Sequence, residues 1–179
     1  MARQGADTRD RILAAAERLA RQVGPGNVSL EAVAAEAGVS KGGLLYHFPS
    51  KGRLLEALVE RFVGELDEAI TASAPQDRPN GLIACYVEHV VAERKAGMPP
   101  PTGLLAALAE HPQLLDPVRR YERSLLDRAK AGASDPQMAI VAFLIVHALR
   151  SMDLLETNVL TEAEIEATLA WVGASLAAA

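Results

Sequence analysis

The histidines and the single cysteine could carry catalytic or metal chemistry, but their spacing supports neither. The histidines are His47, His89, His111 and His147. No two are four residues apart, the spacing that places two metal ligands on one face of a helix. Cys85 lies in the apolar stretch IACYV, where a buried, unreactive thiol is typical. Without a nucleophile elbow or a phosphate-binding loop either, we expect no catalysis, no metal and no cofactor.

The segment SKGGLLYHFPSK, residues 40–51, is instead suited to binding a nucleic acid. A helix that begins with Lys41 and two glycines has a narrow, cationic N-terminal end, which fits a major groove about 12 Å wide. The free N–H groups of that end, together with Ser40, can bind a phosphate. Few long polar side chains are present, so part of the selectivity is expected to come from DNA shape. The candidates for base-edge contacts are Lys41, Gly42, Gly43 and Leu45.

The polar groups that follow, Tyr46, His47 and Lys51, suit the flanking phosphates. Structural alternatives stay open here: the two glycines could only relieve crowding, Tyr46 could be a half-buried packing residue, and His47 could be an exposed linker. Phe48 is assigned to the core.

Glycine, proline and capping residues divide the sequence into helices, with no convincing strand and no repeat. A first helix is expected from a cap at Thr8 to the break at Gly24-Pro25-Gly26. Ser29 then caps a short helix that Gly38 ends, and Ser40 caps the next. Two short helices joined this tightly must cross at a steep angle.

The rest of the chain is also predicted to be helical, which gives an all-α fold of about nine helices. A long helix should follow Pro49-Ser50, and Thr161 with Glu164 forms a capping box for the last helix. The expected later helices are 51–73, 81–96, a short one from Thr102, one from Asp116-Pro117 to 131, 135–155 and 161–179.

Charge is divided unevenly along the chain. The net charge is −5, yet residues 1–53 carry eight Arg/Lys and five acids, a balance of +3, against −8 for the remainder. Chance scatter of surface charge is the alternative to a basic binding segment. The longest purely apolar run, Met138 to Val146, is shorter than a membrane span, and MARQGADTRD lacks the apolar core of a signal segment. We expect a cytoplasmic protein with no membrane partner.

The stretches TRDRILAAAERL and VSLEAVAAEAGVSKGGLLYHFPSK resemble the DNA-binding domain of TetR family regulators over about the first 55 residues. The resemblance implies a helix-turn-helix domain over 1–53 and a bundle for ligand binding and dimerisation over 54–179. The family more often has tyrosine where this chain has Leu45, so either Leu45 or Tyr46 could be the main contact. The implied DNA contacts are Ser29, Ser40, Lys41, Gly42, Gly43, Leu45, Tyr46, His47 and Lys51.

The resemblance further implies a homodimer formed by the helices near 135–155 and 161–179, which could otherwise only fill the monomer core. It also implies a small-molecule effector, and a repressor that a small hydrophobic ligand releases from operator DNA. A helical interaction module without DNA binding is the alternative. Each ligand candidate could also be ordinary core or surface; they are Phe62, Tyr86, His89, Met98, Tyr121, Phe143 and His147.

Overall fold

A computed structural model describes residues 2–75, 77–96 and 111–178, and all regular structure within these ranges is helical. The prediction of an all-α fold is confirmed, with eight α-helices in the described residues; the helix expected from Thr102 lies outside them. The helices are α1 (Ala2–Val23), α2 (Leu30–Ala37), α3 (Lys41–His47), α4 (Lys51–Ser73), α5 (Gly81–Lys95), α6 (Leu115–Ala131), α7 (Pro136–Leu154) and α8 (Glu162–Ala178), with 3-10 turns at Pro25–Asn27 and Pro112–Leu114.

The expected start of α1 at Thr8 is wrong, because the helix begins at Ala2 and Thr8 lies inside it. The preceding residues ARQGAD contain no proline, and alanine, arginine and glutamine are strong helix formers. Gly5 is a poor helix former, but no residue of this stretch prevents the helix from beginning before Thr8.

The described parts of 1–64 and 101–119 form the first of two contact units. Its core joins α1, α2, α3 and the beginning of α4 through aliphatic side chains and one aromatic ring. The buried members are Ile12, Leu13, Ala15, Ala16, Val28, Val33, Ala34, Ala37, Leu44, Phe48, Leu54 and Ala57. This core is what fixes α2 and α3 relative to each other.

The turn between α2 and α3 depends on a left-handed residue. Gly38 has φ 64° and ψ 39°, and its N–H donates to the carbonyl oxygens of Ala34 and Ala35. Arg11 of α1 donates from Nη2 to the carbonyl oxygen of Ala37 at 2.7 Å, placing a cation at the C-terminus of α2. The predicted stop at Gly38 is confirmed.

The described parts of 65–100 and 120–179 form the second unit, in which α5, α7 and α8 pack against one another. Helix α7 is long and apolar enough to cross a membrane by length and composition alone, a test that core helices of soluble domains also pass. One face of α7 is buried in this unit through Ala139, Ala142, Phe143, Val146 and Leu149.

Asn80 ties three parts of the second unit together. It is 3% exposed, has φ 62°, and its N–H donates to the carbonyl oxygen of Gly132 at 2.9 Å. Its Nδ2 donates to Ser134 Oγ at 3.0 Å and to the carbonyl oxygen of Leu176 at 2.9 Å. The start of α5, the α6–α7 connection and the end of α8 therefore meet at one side chain.

The capping box before α8 is confirmed. The backbone N–H of Thr161 donates to Glu164 Oε2 at 2.8 Å, and the N–H of Glu164 donates to Thr161 Oγ1 at 3.3 Å. The hydrogen bonds from Thr161 hold the pKa of Glu164 below its ordinary value.

Replacing Gly38 with alanine is expected to lower the free energy of unfolding by about 1–2 kcal/mol, because a Cβ disfavours the left-handed conformation. Gly64→Ala is the control: a Cβ at Gly64 meets nothing within 4 Å, so this change should raise stability by about 0.5–1 kcal/mol. Urea unfolding of both variants measures the difference, and equal effects would contradict the role assigned to Gly38.

Candidate nucleic-acid interface

Helix α3 buries one residue and leaves the others available at the surface. Leu44 is fully buried, whereas Tyr46 is 84% exposed and its ring meets that of His47 edge-on, with 5.2 Å between centroids. Leu45 and His47 are half-buried. The alternative that Tyr46 is a half-buried packing residue is therefore wrong, and Tyr46 extends farther into solvent than Leu45.

The two predicted caps hold the N-terminal ends of α2 and α3. Ser29 Oγ accepts from the N–H of Ala32 at 3.1 Å, and Ser40 Oγ accepts from the N–H of Gly43 at 3.0 Å. A Cβ at Gly42 would meet no atom within 4 Å, while one at Gly43 would lie 3.2 Å from Ser40 Oγ. Gly43 thus has a packing reason to be glycine, and crowding does not explain Gly42.

The two predicted lysine contacts both have partners within the protein. Lys41 Nζ lies 2.7 Å from Glu31 Oε1 of α2. Lys51 Nζ donates to the carbonyl oxygen of Gly26 at 2.6 Å, which ties the start of α4 to the turn after α1. Each ammonium has three donors, so neither contact uses its whole capacity. Sequence reasoning missed both partners because they are ten or more residues away.

Phe48 is buried as predicted, and a cation lies over the face of its ring. The guanidinium carbon of Arg9 lies 5.2 Å from the ring centroid. Such cation–π contacts contribute about 0.5–1 kcal/mol at exposed sites. Arg9 was not among the predicted site residues, and only the folded packing of α1 against the end of α3 brings it here.

Three of the ligand candidates form a stack of rings in the second unit. The centroids of Tyr86 and Phe143 are 6.2 Å apart at 26°, and those of Phe143 and His147 are 5.9 Å apart at 13°. Tyr86 is buried and His147 is exposed, so the stack runs from the core to the surface. His147 Nδ1 lies 3.2 Å from Glu122 Oε1.

Polar groups accompany this stack. Burial raises the pKa of Tyr86, and the positive charge of nearby Arg150 opposes that rise. Burial, with the nearby charge of Asp67, raises the pKa of Tyr121 well above its ordinary value. The Tyr121 hydroxyl is buried and has no hydrogen-bond partner within the described ranges.

Two further ligand candidates, His89 and Phe62, lie within the described residues. His89 Nε2 is 3.4 Å from Glu93 Oε1 on α5, and Glu93 Oε2 is 3.9 Å from Arg150. Phe62 is 55% exposed and belongs to the first unit, and Met98 lies outside the described residues. Across 2–75, 77–96 and 111–178, no three His, Cys, Asp or Glu side chains are grouped so that they could hold a metal ion.

The last two helices each expose an apolar strip, which we call the outer face. On α7, Leu144 is 57% exposed, with Val141 and Ala148 exposed on the same side. On α8, Trp171 is 54% exposed beside a strip of small residues. These exposed alanines are Ala163, Ala167, Ala170 and Ala174.

These helices define an all-helical protein with an N-terminal helix-turn-helix. Residues 12–58 match the profile of bacterial regulatory proteins of the tetR family. Residues 80–171, more than half of the chain, match the profile of the tetracyclin repressor-like C-terminal domain. The chain belongs to the TetR family of bacterial regulatory proteins. The resemblance drawn from the N-terminal motif is confirmed, and the second match covers a region for which the sequence offered no comparable motif.

Two curated relatives match over part of their length. The HTH-type transcriptional repressor BepR of Brucella suis is 32% identical over 79 residues, 44% of this chain and 38% of BepR. The nucleoid occlusion factor SlmA of Haemophilus ducreyi is 34% identical over 82 residues, 46% of this chain and 41% of SlmA. The match therefore spans about two fifths of the length of these relatives. A TetR transcription regulator from Haloarcula marismortui shares the fold, with a TM-score of 0.71 and 16% identity over 97% of this chain and 98% of that chain.

The two rings at the end of α3 are expected to affect stability very differently. Phe48→Ala should lower the free energy of unfolding by about 3–5 kcal/mol, because it empties a buried site. Tyr46→Ala should change it by no more than about 0.5 kcal/mol, because that ring is exposed. Urea denaturation of the two variants tests this, and a large loss in Tyr46→Ala would show that its ring is packed.

Proposed function

We propose that this protein is a sequence-specific DNA-binding transcriptional regulator, a cytoplasmic repressor released from its operator by a small hydrophobic ligand. The observation that carries the proposal is the division of α3: Leu44 is buried while Lys41 and Tyr46 are exposed. A recognition helix of a helix-turn-helix contacts base edges through its N-terminal residues. BepR is named a transcriptional repressor, which supports repression by this protein.

We propose a separate role for each of two parts of the chain. Residues 1–53 bind DNA, with the caps and α3 supplying the contacts, and residues 54–179 bind the ligand and the second subunit. The proposed boundary at 53/54 lies near the start of α4, whereas the contact units divide farther along the same helix, between residues 64 and 65. The proposed contacts are Ser29, Ser40, Lys41, Gly42, Gly43, Leu45, Tyr46, His47 and Lys51.

We propose a homodimer through the outer face of α7 and α8. Exposed Leu144 and Trp171 are large apolar side chains, and the neighbouring alanines allow two helices to approach closely. Two-fold symmetry would then present two recognition helices to a pseudo-palindromic site, one or more helical turns apart.

The effector is proposed to bind beside the stack of Tyr86, Phe143 and His147. The aromatic surface suits a hydrophobic ligand, and the unpartnered hydroxyl of Tyr121 in the described structure can bond to one polar group of it. Release from DNA requires that the ligand bind the conformation without DNA more tightly, since equal affinity for both shifts nothing.

The DNA-binding proposal is tested by fluorescence titration of DNA flanking the protein's own gene, at two salt concentrations. Wild type should bind tightly and weaken as salt rises, through counterion release. Lys41→Ala combined with Tyr46→Ala should bind at least about 30-fold more weakly, because two contacts are lost. Lys95→Ala, at the exposed end of α5 in the second unit, removes one positive charge and should leave binding unchanged. Small hydrophobic compounds are then screened for release of the bound DNA.

Wild type and double variant binding equally weakly to this DNA and to random sequence would contradict regulation of the adjacent gene. Failure of genome-wide site selection as well would favour the interaction module without DNA binding.

The dimer proposal predicts that Leu144→Glu weakens self-association by about 100-fold, because a charge without a partner would be buried at the interface. Ser124→Glu adds the same charge at an exposed position of α6 and should leave the dimer intact. Sedimentation velocity over a range of concentrations measures both. A dimer unaffected by Leu144→Glu would contradict an interface on this face.

A further inference from the structure

The contact between Glu31 and Lys41 joins the two helices of the helix-turn-helix at the surface. Glu31 lies in the first turn of α2, and Lys41 is the first residue of α3. Lys41 Nζ and Glu31 Oε1 are 2.7 Å apart, and the two side chains are 59% and 63% exposed. The hydrogen bond from Lys41 is the main cause that lowers the pKa of Glu31, so the carboxyl group stays an ionised acceptor at neutral pH.

A carboxylate in the first turn of α2 stabilises the helix, but it opposes DNA binding. DNA phosphates repel it, so Glu31 would weaken binding to every sequence unless it makes a contact that offsets the repulsion. Lys41 is the only lysine or arginine within α3. Any approach of this ammonium to DNA therefore brings the Glu31 carboxylate with it, or requires the two to separate.

An adjacent ammonium and carboxylate are complementary to a base pair that presents an acceptor beside a donor in the major groove. A·T and G·C pairs both do so, but only guanine offers the ammonium two neighbouring acceptors. The Glu31–Lys41 pair offers a donor and an acceptor side by side. Guanine presents acceptors at O6 and N7, and its partner cytosine presents a donor at N4. Guanine O6 and cytosine N4 are adjacent because they hydrogen-bond to each other. Lysine with guanine and glutamate with cytosine are both established pairings in DNA recognition.

We propose that Glu31 is a specificity-determining residue and that the Glu31–Lys41 pair recognises one G·C base pair in each half-site. Lys41 donates to guanine, and Glu31 accepts from the N4 amino group of the paired cytosine. An exposed ion pair is weak, so the two side chains can adjust to the base edge at little cost. This inference rests on the DNA-binding function proposed above.

The experiment is selection of binding sites from a random DNA library with full-length wild type, Glu31→Gln and Glu36→Gln. Glu36 is the matched control because it lies on α2, is exposed and pairs with Arg18 at 2.9 Å, so its substitution removes the same charge. Wild type and Glu36→Gln should select G·C at one shared position. Glu31→Gln should lose at least about tenfold of the discrimination there and keep the rest of the site.

Two outcomes would overturn the inference while leaving DNA binding intact. In the first, Glu31→Gln binds all sequences more tightly by the same factor and keeps every base preference, which would make Glu31 only a source of repulsion. In the second, the preference that Glu31→Gln loses is for an A·T pair. A wild type that selects no sequence at all would overturn the proposed function itself and this inference with it.

Discussion

The surface of the helix-turn-helix depends on the packing of Leu44 into the core of the first unit. Helix α3 has only seven residues, and isolated helices shorter than about 12 residues are marginal in water. Its conformation therefore comes from Leu44 and Phe48, which pack into the core made by α1, α2 and α4, and from the cap at Ser40. Only a few side chains of α3 are needed to hold it against the core. The remaining side chains are therefore available for contacts outside the protein.

The second unit has a different interior. The core of the first unit is almost entirely aliphatic, whereas the second encloses Tyr86 and the hydroxyl of Tyr121, with the charges of Asp67 and Arg128 nearby. The described residues give the Tyr121 hydroxyl no hydrogen-bond partner. Leaving a buried hydroxyl unpaired costs about 1–3 kcal/mol, a cost that a hydrogen-bonding group on a bound molecule would offset. Arg150, next to Tyr86, links this interior to the charged surface at Glu93. The first unit thus supports α3 with an aliphatic core, and the second has a more polar interior.

Local signals predicted most of the helices, and long-range contacts account for what they missed. Gly38, Ser40 and the box of Thr161 with Glu164 act within a few residues, so their effects are visible in the sequence. The start of α1 was misplaced because a good cap at Thr8 does not prevent a helix from beginning earlier. The candidate DNA contacts on α3 were found from residue type and order. The partners of Lys41 and Lys51 depend on how α2, α3 and the turn after α1 pack, which no local pattern encodes.

The burial of Asn80 also affects the chemical stability of the chain. Asn80 is followed by Gly81, the dipeptide in which the backbone nitrogen of glycine most readily attacks the asparagine side chain and releases ammonia. Here the N–H of Gly81 donates to the carbonyl oxygen of Arg78 at 3.2 Å, and the Asn80 amide is held by hydrogen bonds in the core. Conversion to aspartate would leave a charge in a buried site, which is strongly unfavourable. The fold thus protects its Asn-Gly sequence from deamidation, and deamidation becomes a marker of chains that have unfolded.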